Sequence, residues 1–376
     1  MNKQDERVLQ ISHDYHGPFV AVCRQYAAAF SDGTVTTVFL RGEESEQVRA
    51  QIPGEVIFLG KTEGSLRGIK FDAIFRLAKL CRKRRYSLVV GHRYKGIYLA
   101  GILSYFFPFR VVLGVVHEHG VFKRITRHLF VTFWRPKLKL IAVSDSVKQD
   151  IHSEIPSLTA DRLIRLHHVA AGEVPLDKAS ARAQLQIEHS GLVSGVVARL
   201  VAKKSVDIVV KAYAEYKQRQ PHSDSLLVIV GDGKEKQKLL DQAKRLGNGE
   251  SILFTGWQDQ AGRCIAAFDV LIFSSGNQEA FGMVLLEAMS AGVPIICSDA
   301  PGPLEVVGDC ALVYSREDAT GLAVALERFV ALSVADRDQM VQRGRKRVST
   351  LFSQSTFNNT LAQYLIEAGG QVSHGR

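Results

Sequence analysis

Two carboxylates and a glycine bracket the start of one helix. The stretch from Ser274 to Pro294 reads Ser-Ser-Gly-Asn-Gln-Glu-Ala-Phe-Gly-Met-Val-Leu-Leu-Glu-Ala-Met-Ser-Ala-Gly-Val-Pro. The apolar run Asp269 to Phe273 before it reads as a buried strand. The run from Met283 reads as a helix stopped by Gly292-Val293-Pro294. Free N–H groups at a helix start, here at Phe281-Gly282-Met283, attract an anion such as a diphosphate. Gly282 removes a side chain where a ligand would need close approach. Glu279 lies in the loop, and Glu287 more than one turn inside the helix. Carboxylates accept hydrogen bonds from vicinal hydroxyls, as on a ribose or a hexose. The helix start can therefore hold phosphates while the flanking acids hold sugars. The plainer alternative is an amphipathic helix with Glu287 solvated.

Other strand ends carry further candidates. Arg199 and Lys204 stand five apart in Ala198-Arg199-Leu200-Val201-Ala202-Lys203-Lys204-Ser205, so both can point at one anion. Fixed cations stabilise the charge that grows on a diphosphate leaving group; a solvated basic loop is the other reading. Gly231-Asp232-Gly233 closes a strand and could be only a turn. Trp257, after Gly256, could stack on a base or sit in the core. His117 ends a buried strand, with His119 a weaker candidate beside it, and His16-Gly17 follows the first strand.

The elements that must position these residues alternate. In the first half, strands are expected at Val8 to Ser12, Thr36 to Leu40, Val56 to Leu59, Leu88 to Val90, Val111 to Val116 and Leu140 to Val143. Helices are expected at Phe19 to Phe30 and Leu66 to Arg84, and after Ser144. The second half repeats the pattern from Leu192 to Val313 and ends in three helices. Such alternation means an α/β protein with parallel, doubly wound sheets. The apolar run 97–116 is broken by Pro108 and Arg110. It reads as a short helix, a turn and a strand, because a membrane span needs about 20 unbroken apolar residues.

Glu279, seven residues, then Glu287, with Phe281-Gly282 and Glu287-Ala288-Met289 inside, resembles the signature of the retaining family 4 glycosyltransferases. The resemblance is most specific from Gly195 to Val313 and weaker over the first half. It implies a GT-B fold, two Rossmann-like domains facing across a cleft that holds a nucleotide-sugar. Residues 1–175, with 354–376 returning to them, would bind the acceptor, and 176–353 the donor; the joint is expected near Ala170 to Asp177.

The resemblance also implies roles. Arg199 and Lys204 would hold the donor phosphates, with Lys203 ranked below Lys204. Gly231 would rim the nucleotide pocket and Trp257 would lie at the base. Phe281, Gly282, Met283 and Gly17 would line the donor site, and Glu287 would hold the ribose. Glu279 would orient the donor sugar, and His117 would lie near the transferred sugar. Three departures stand out. Ser205 and His16 replace expected glycines, and His168-Val169-Ala170-Ala171-Gly172 stands where Asn-Gly is usual, so no role is carried there. The implied reaction moves a hexose-type sugar from a nucleotide-diphosphate donor to a glycan or lipid-linked acceptor, as in lipopolysaccharide or other surface polysaccharide synthesis. The departing phosphate would accept the acceptor's proton. The donor is a substrate, and neither cofactor nor metal is expected.

Composition narrows the classes. At 376 residues, 46% hydrophobic and 23% charged, the chain has room for two globular domains. Five scattered cysteines and no apolar leader fit a reducing cytoplasm. Residues 1–180 hold 27 Lys+Arg against 17 Asp+Glu, whereas 181–376 balance at 21 each. The excess gathers at Lys61 to Arg85 and at Phe122 to Lys139, where apolar and aromatic residues are interleaved. That pairing suits an anionic membrane surface, and hence a peripheral position on the inner face of the cytoplasmic membrane. Three other classes share some of these features. A non-hydrolysing nucleotide-sugar 2-epimerase would share the fold. A nucleic-acid binder would need a recognition module, and none is seen. A Rossmann oxidoreductase would need Gly-x-Gly-x-x-Gly after the first strand, which is lacking.

Overall fold

Unbroken runs of Val, Ile and Leu build the strands, as expected where helices cover both faces of a parallel sheet. The computed structural model describes residues 7–30, 33–62, 64, 70–132, 138–170 and 174–368. The first sheet comprises β1 (Val8–Ser12), β2 (Val35–Phe39), β3 (Glu55–Phe58), β4 (Leu88–His92), β5 (Val111–Val116), β6 (Leu138–Ala142) and β7 (Leu163–Arg165). It is parallel throughout, in the order β3-β2-β1-β4-β5-β6-β7. The second comprises β8 (Leu192–Val197), β9 (Ser225–Val230), β10 (Ile252–Gly256), β11 (Val270–Phe273), β12 (Ile295–Ser298) and β13 (Ala311–Tyr314), in the order β10-β9-β8-β11-β12-β13. Every residue of β1, β2, β4, β5, β11 and β12 is buried.

Strand order reverses once in each sheet, between β1 and β4 and between β8 and β11. In doubly wound folds the carboxyl ends of the strands at such a reversal are the usual ligand position. The chain divides into two compact units, Met1–Val169 with Ser353–Arg376, and Ala170–Phe352. Ala170, grouped above with the first domain, opens the second. In the first unit the helix Gln354–Glu367 packs on the helix Phe19–Ala27: Gln354 Nε2 donates to the Gln25 carbonyl (2.9 Å), and Phe357 meets Tyr26 edge-on (4.9 Å between ring centres).

The helix expected over Leu66 to Arg84 is seen as Phe71–Lys83, and residues 65–69 lie outside the described residues. Short elements without a counterpart in the sequence reading include the helices Glu46–Gln51, Ile125–Thr132 and Pro301–Val307, and β7. Each is too short for a periodic pattern to register. The run at 97–116 folds as the end of a helix, Arg93–Phe106, a turn and then β5. Among the described residues no helix is long and apolar enough to cross a membrane.

Candidate functional site

The reversal between β8 and β11 gathers most of the expected donor residues. After β8 the chain makes a 3-10 turn, Ala202–Lys204, and enters the helix Val206–Arg219 through Ser205 in the left-handed region (φ 48°, ψ 37°). That backbone costs a serine and not a glycine, a physical reason for a glycine to be usual here. The two loops are tied together. The Ser274 hydroxyl donates to the Lys204 carbonyl (2.8 Å), and the Gly276 N–H donates to the Lys203 carbonyl (3.2 Å). Across this tie Lys204 and Glu279 form an ion pair, their side chains 21% and 14% exposed. Burial pushes the Glu279 carboxyl up, but the Lys204 ammonium, with a Ser275 hydrogen bond and the Lys203 charge, holds it below its ordinary value. The Glu279 carboxyl is therefore held ionised against Lys204. Arg199 and Lys203 are exposed and open to a ligand.

Gly282 starts the helix Met283–Ala291 with φ 98°, and no side chain caps that end. A Cβ on Gly282 would sit 2.9 Å from Leu285 Cδ1 and 3.1 Å from Phe273 Cζ, so only glycine fits. Phe281 is buried, edge-on to Phe352, so its side chain anchors the loop. Glu287 is half-buried rather than a solvated surface acid. Its carboxylate lies against Gly262, where a Cβ would come within 2.9 Å of it. Gly302, at the start of Pro301–Val307, backs the carbonyls of Glu279 and Ala280, which a Cβ would meet at 2.6 and 2.5 Å. Sequence reading singled out neither Gly262 nor Gly302; each is legible only once its packing neighbour is known.

Gly231 and Gly233 act on Arg199. A Cβ on Gly231 would strike the Ala198 carbonyl oxygen at 1.9 Å, and one on Gly233 the Leu200 carbonyl oxygen at 2.2 Å. The Leu200 N–H donates to the Asp232 carbonyl (2.9 Å), and the Gly231 N–H to the Gly256 carbonyl (2.8 Å). Gly-x-Gly thus clamps the residues on either side of Arg199. Trp257, next along this rim, is 69% exposed, which removes the core reading.

The reversal between β1 and β4 holds a different set. Gly17 is left-handed (φ 63°) with open space where a side chain would be. The His16 N–H is already donated to Asp14 Oδ1 (3.1 Å), so of this pair only Gly17 can offer its N–H to a phosphate. Asp14, buried, faces Arg93 (3.7 Å) and His13 (3.6 Å). Arg93 follows β4 in the left-handed region (φ 57°) and lies 5.1 Å over the Phe19 ring. Sequence reading passed over Arg93; Gly91 and Gly96 on either side were the available clue. Their backbones touch, and a Cβ on Gly91 would lie 2.4 Å from the Gly96 carbonyl carbon.

His117, expected near the transferred sugar, has both ring nitrogens engaged inside the first domain. Nε2 lies 3.2 Å from His92 Nδ1, and Nδ1 lies 3.3 Å from His168 Nε2. Burial, then the neighbouring His168 and His92 and the Arg93 charge, hold it well below the ordinary histidine value. His92 is pushed down to about 3 by burial and His168, and His168 to about 3 by burial and His167. His119 is tied to Ser146 (3.2 Å). Among the described residues no three His, Cys, Asp or Glu side chains converge as a metal ion would require.

Residues 177–347 match the family Glycosyl transferases group 1. That match falls within the second domain. Relatives include the lipopolysaccharide core biosynthesis glycosyltransferase LpsE of Rhizobium meliloti (strain 1021), 31% identical over 49% of this chain and 52% of its own length. Another is the N-acetyl-alpha-D-glucosaminyl L-malate synthase of Bacillus anthracis, 32% identical over 43% of this chain and 41% of its own. The chain spans about half the length of the curated relatives it matches. Similarity of fold runs further. The Anabaena protein Alr3699/HepE, solved with UDP and glucose, aligns over 96% of this chain and 99% of its own at TM-score 0.78 and 19% identity. WaaG, a glycosyltransferase involved in lipopolysaccharide biosynthesis, aligns over 96% and 100% at TM-score 0.69 and 18% identity. The fold is GT-B.

Proposed function

We propose that this protein is a retaining glycosyltransferase. It moves a hexose-type sugar from a nucleotide-diphosphate donor to a glycan or lipid-linked acceptor in lipopolysaccharide or other surface polysaccharide synthesis. The observation that carries this reading is the Lys204–Glu279 pair at the β8/β11 reversal, beside an uncapped helix start, in a group 1 domain. The diphosphate takes the N–H groups at Gly282 and Met283 and the charges of Arg199 and Lys204. Glu287 accepts from the ribose, and Glu279, kept ionised by Lys204, accepts from hydroxyls of the donor sugar. These fixed charges stabilise the leaving group without a metal, and the departing phosphate takes the acceptor's proton. The relatives' names and the neighbour solved with UDP and glucose favour a uridine donor and a surface-glycan acceptor. The test is a panel of UDP-, GDP- and ADP-sugars. One should raise the unfolding temperature, since ligand at 100 times its dissociation constant stabilises by about 2.7 kcal/mol. It should also yield product with the donor's anomeric configuration. Epimerised sugar with no transfer or hydrolysis would overturn the reading.

The same reading includes a peripheral membrane position, supported by surface chemistry. On the helix Phe71–Lys83, Phe71 (73% exposed) and Phe75 (65%) share a stripe with Lys79 and Arg82. Tyr105 and Phe106, also exposed, lie before β5, at the same amino end of the sheet as Arg82, Lys83 and Arg85 before β4. The second basic stretch fits less well. Phe122 and Phe130 are core residues, and Phe133, Trp134, Arg135 and Lys137 lie outside the described residues. Arg84 is committed to an ion pair with Glu55, so the informative variant reverses charge at Arg82, Lys83 and Arg85 only. Wild type should co-sediment with anionic vesicles at low salt and the variant should not. Equal, negligible binding to neutral and anionic vesicles would rule the position out.

A further inference from the structure

We infer that His92 and His168 are positioning residues that lock His117 in a single neutral tautomer, so that His117 orders the first domain's strand ends and exchanges no proton with a substrate. The argument starts at a carbonyl. Gln10, buried in β1, has its side-chain Nε2 3.1 Å from the Cys23 carbonyl oxygen and 2.9 Å from the Thr37 hydroxyl. A carbonyl oxygen only accepts, so the amide cannot be turned round. Gln10 Oε1 then faces His92 Nε2 at 3.1 Å and must accept, which places the His92 proton on Nε2. A neutral imidazole has one N–H, so His92 Nδ1 is bare and accepts from His117 Nε2 (3.2 Å). The rule passes on: His117 Nδ1 is bare and accepts from His168 Nε2 (3.3 Å). One peptide carbonyl thereby sets the direction of a line of three rings.

The surroundings hold the line in place and uncharged. His92 ends β4, His117 follows the adjacent β5, and His168 follows β7. Gln25 clamps the backbone on either side of His168: its Oε1 accepts the Val169 N–H (3.1 Å) and its Nε2 donates to the His167 carbonyl (3.3 Å). Tyr26 meets the His92 ring edge-on (4.9 Å) and Phe19 meets the His117 ring (5.3 Å). An added proton would reverse the line beyond it and set a cation among buried groups that already face Arg93 and His167. The remaining charge nearby, on Asp14, is shared between Arg93 and His13. The lock is independent of the reaction. Its consequence for turnover rests on the glycosyltransfer reading, in which the acceptor's proton leaves with the phosphate and not through His117.

The experiment is long-range proton–nitrogen NMR of the whole chain with labelled histidine. At least three of the twelve histidines should show the Nε2–H pattern unchanged from pH 8 to about 5.5. Fewer than three would overturn the lock without recourse to any variant. His168→Gln keeps a donor where Nε2 stood, and His168→Leu removes it. In the Leu variant His117 should begin to titrate, and transfer should fall by up to about tenfold, the scale of one lost hydrogen bond. The Gln variant should restore both. A His117 signal in the Leu variant indistinguishable from wild type would remove His168 from the positioning role. If no sugar is transferred although the spectra match, the lock stands and the glycosyltransfer reading fails.

Discussion

The two sheet reversals share a topology and differ in electrostatics. At β8/β11 the loops carry full charges: Lys204 paired with Glu279, and Arg199 and Lys203 exposed beside an uncapped helix start. At β1/β4 the interior is filled by neutral imidazoles anchored on Gln10, and Arg93 is balanced by Asp14. Ionised groups suit a ligand whose charge changes during reaction, because fixed charges act most strongly where charge develops. A neutral, hydrogen-bonded wall suits a ligand that only has to be held. The contrast fits the proposed division of labour, in which the second domain handles the leaving group and the first the acceptor.

Acid should separate the two domains, and this is the largest effect expected. His92 and His168 are pushed from 6.5 to about 3, so the unfolded chain takes up protons first. Their stabilisation is complete above pH 6.5 and is lost progressively as pH falls from 6.5 towards 3. At pH 5 each has lost about 2 kcal/mol, roughly 4 in all. Glu279 is lowered from 4.5, so its contribution is complete above 4.5 and is lost only below it. Hydrogen exchange by mass spectrometry, corrected for intrinsic rates, should show the helix Phe19–Ala27 deprotected between pH 7 and 5 and the helix Val206–Arg219 unchanged. Equal loss in both helices would contradict the contrast.

Next in size is the charge of the second domain. In the proposed reaction Lys204→Ala removes a cation from the leaving group and strands Glu279, and Arg199→Ala removes an exposed cation. Each should lower turnover at saturating donor by about 3 kcal/mol, a hundredfold or more. Only the Lys204 variant should also lose stability, because a half-buried carboxylate is left unpaired. Near-normal turnover in either variant would take that residue out of the site.

What could be read beforehand follows the reach of each signal. Strands and long helices were legible because periodicity is local: β1 and β5 fall on the residues expected. The donor residues were legible because they cluster within a few residues of strand ends, and the resemblance supplied their roles. The histidine line was not legible. Gln10, His92, His117 and His168 are spread over 158 positions, and a tautomer depends on partners that no spacing reveals. Trp257 was undecided for the same reason, since exposure is a property of the packed chain.

Glu287 tests whether the second domain's acids divide their labour. It is half-buried beside Gly262 and is expected to hold the ribose, not the reacting sugar. Glu287→Ala should weaken binding of the nucleotide alone by about 2 kcal/mol, the scale of a hydrogen bond to a charged group. Turnover at saturating donor should change little. Unchanged nucleotide affinity by calorimetry would return Glu287 to the status of a packing residue.

Trp257 offers the smallest effect and the finest discrimination. At 69% exposure its ring buries little in the free protein, so Trp257→Ala should leave the unfolding temperature within error. It follows β10, on the rim continued by Gly231 and Arg199, where a base would lie if the diphosphate meets the helix start. Stacking of a base on an aromatic side chain is worth about 1–3 kcal/mol, and an exposed ring belongs at the lower end. Loss of the ring should therefore weaken nucleotide binding about fivefold to tenfold, and Trp257→Phe should recover part of it. A ring that only shields the rim would give the same small loss with a nucleotide and with its base-free ribose diphosphate. A stacking ring would give the loss with the nucleotide alone, and calorimetry with the two ligands separates the cases.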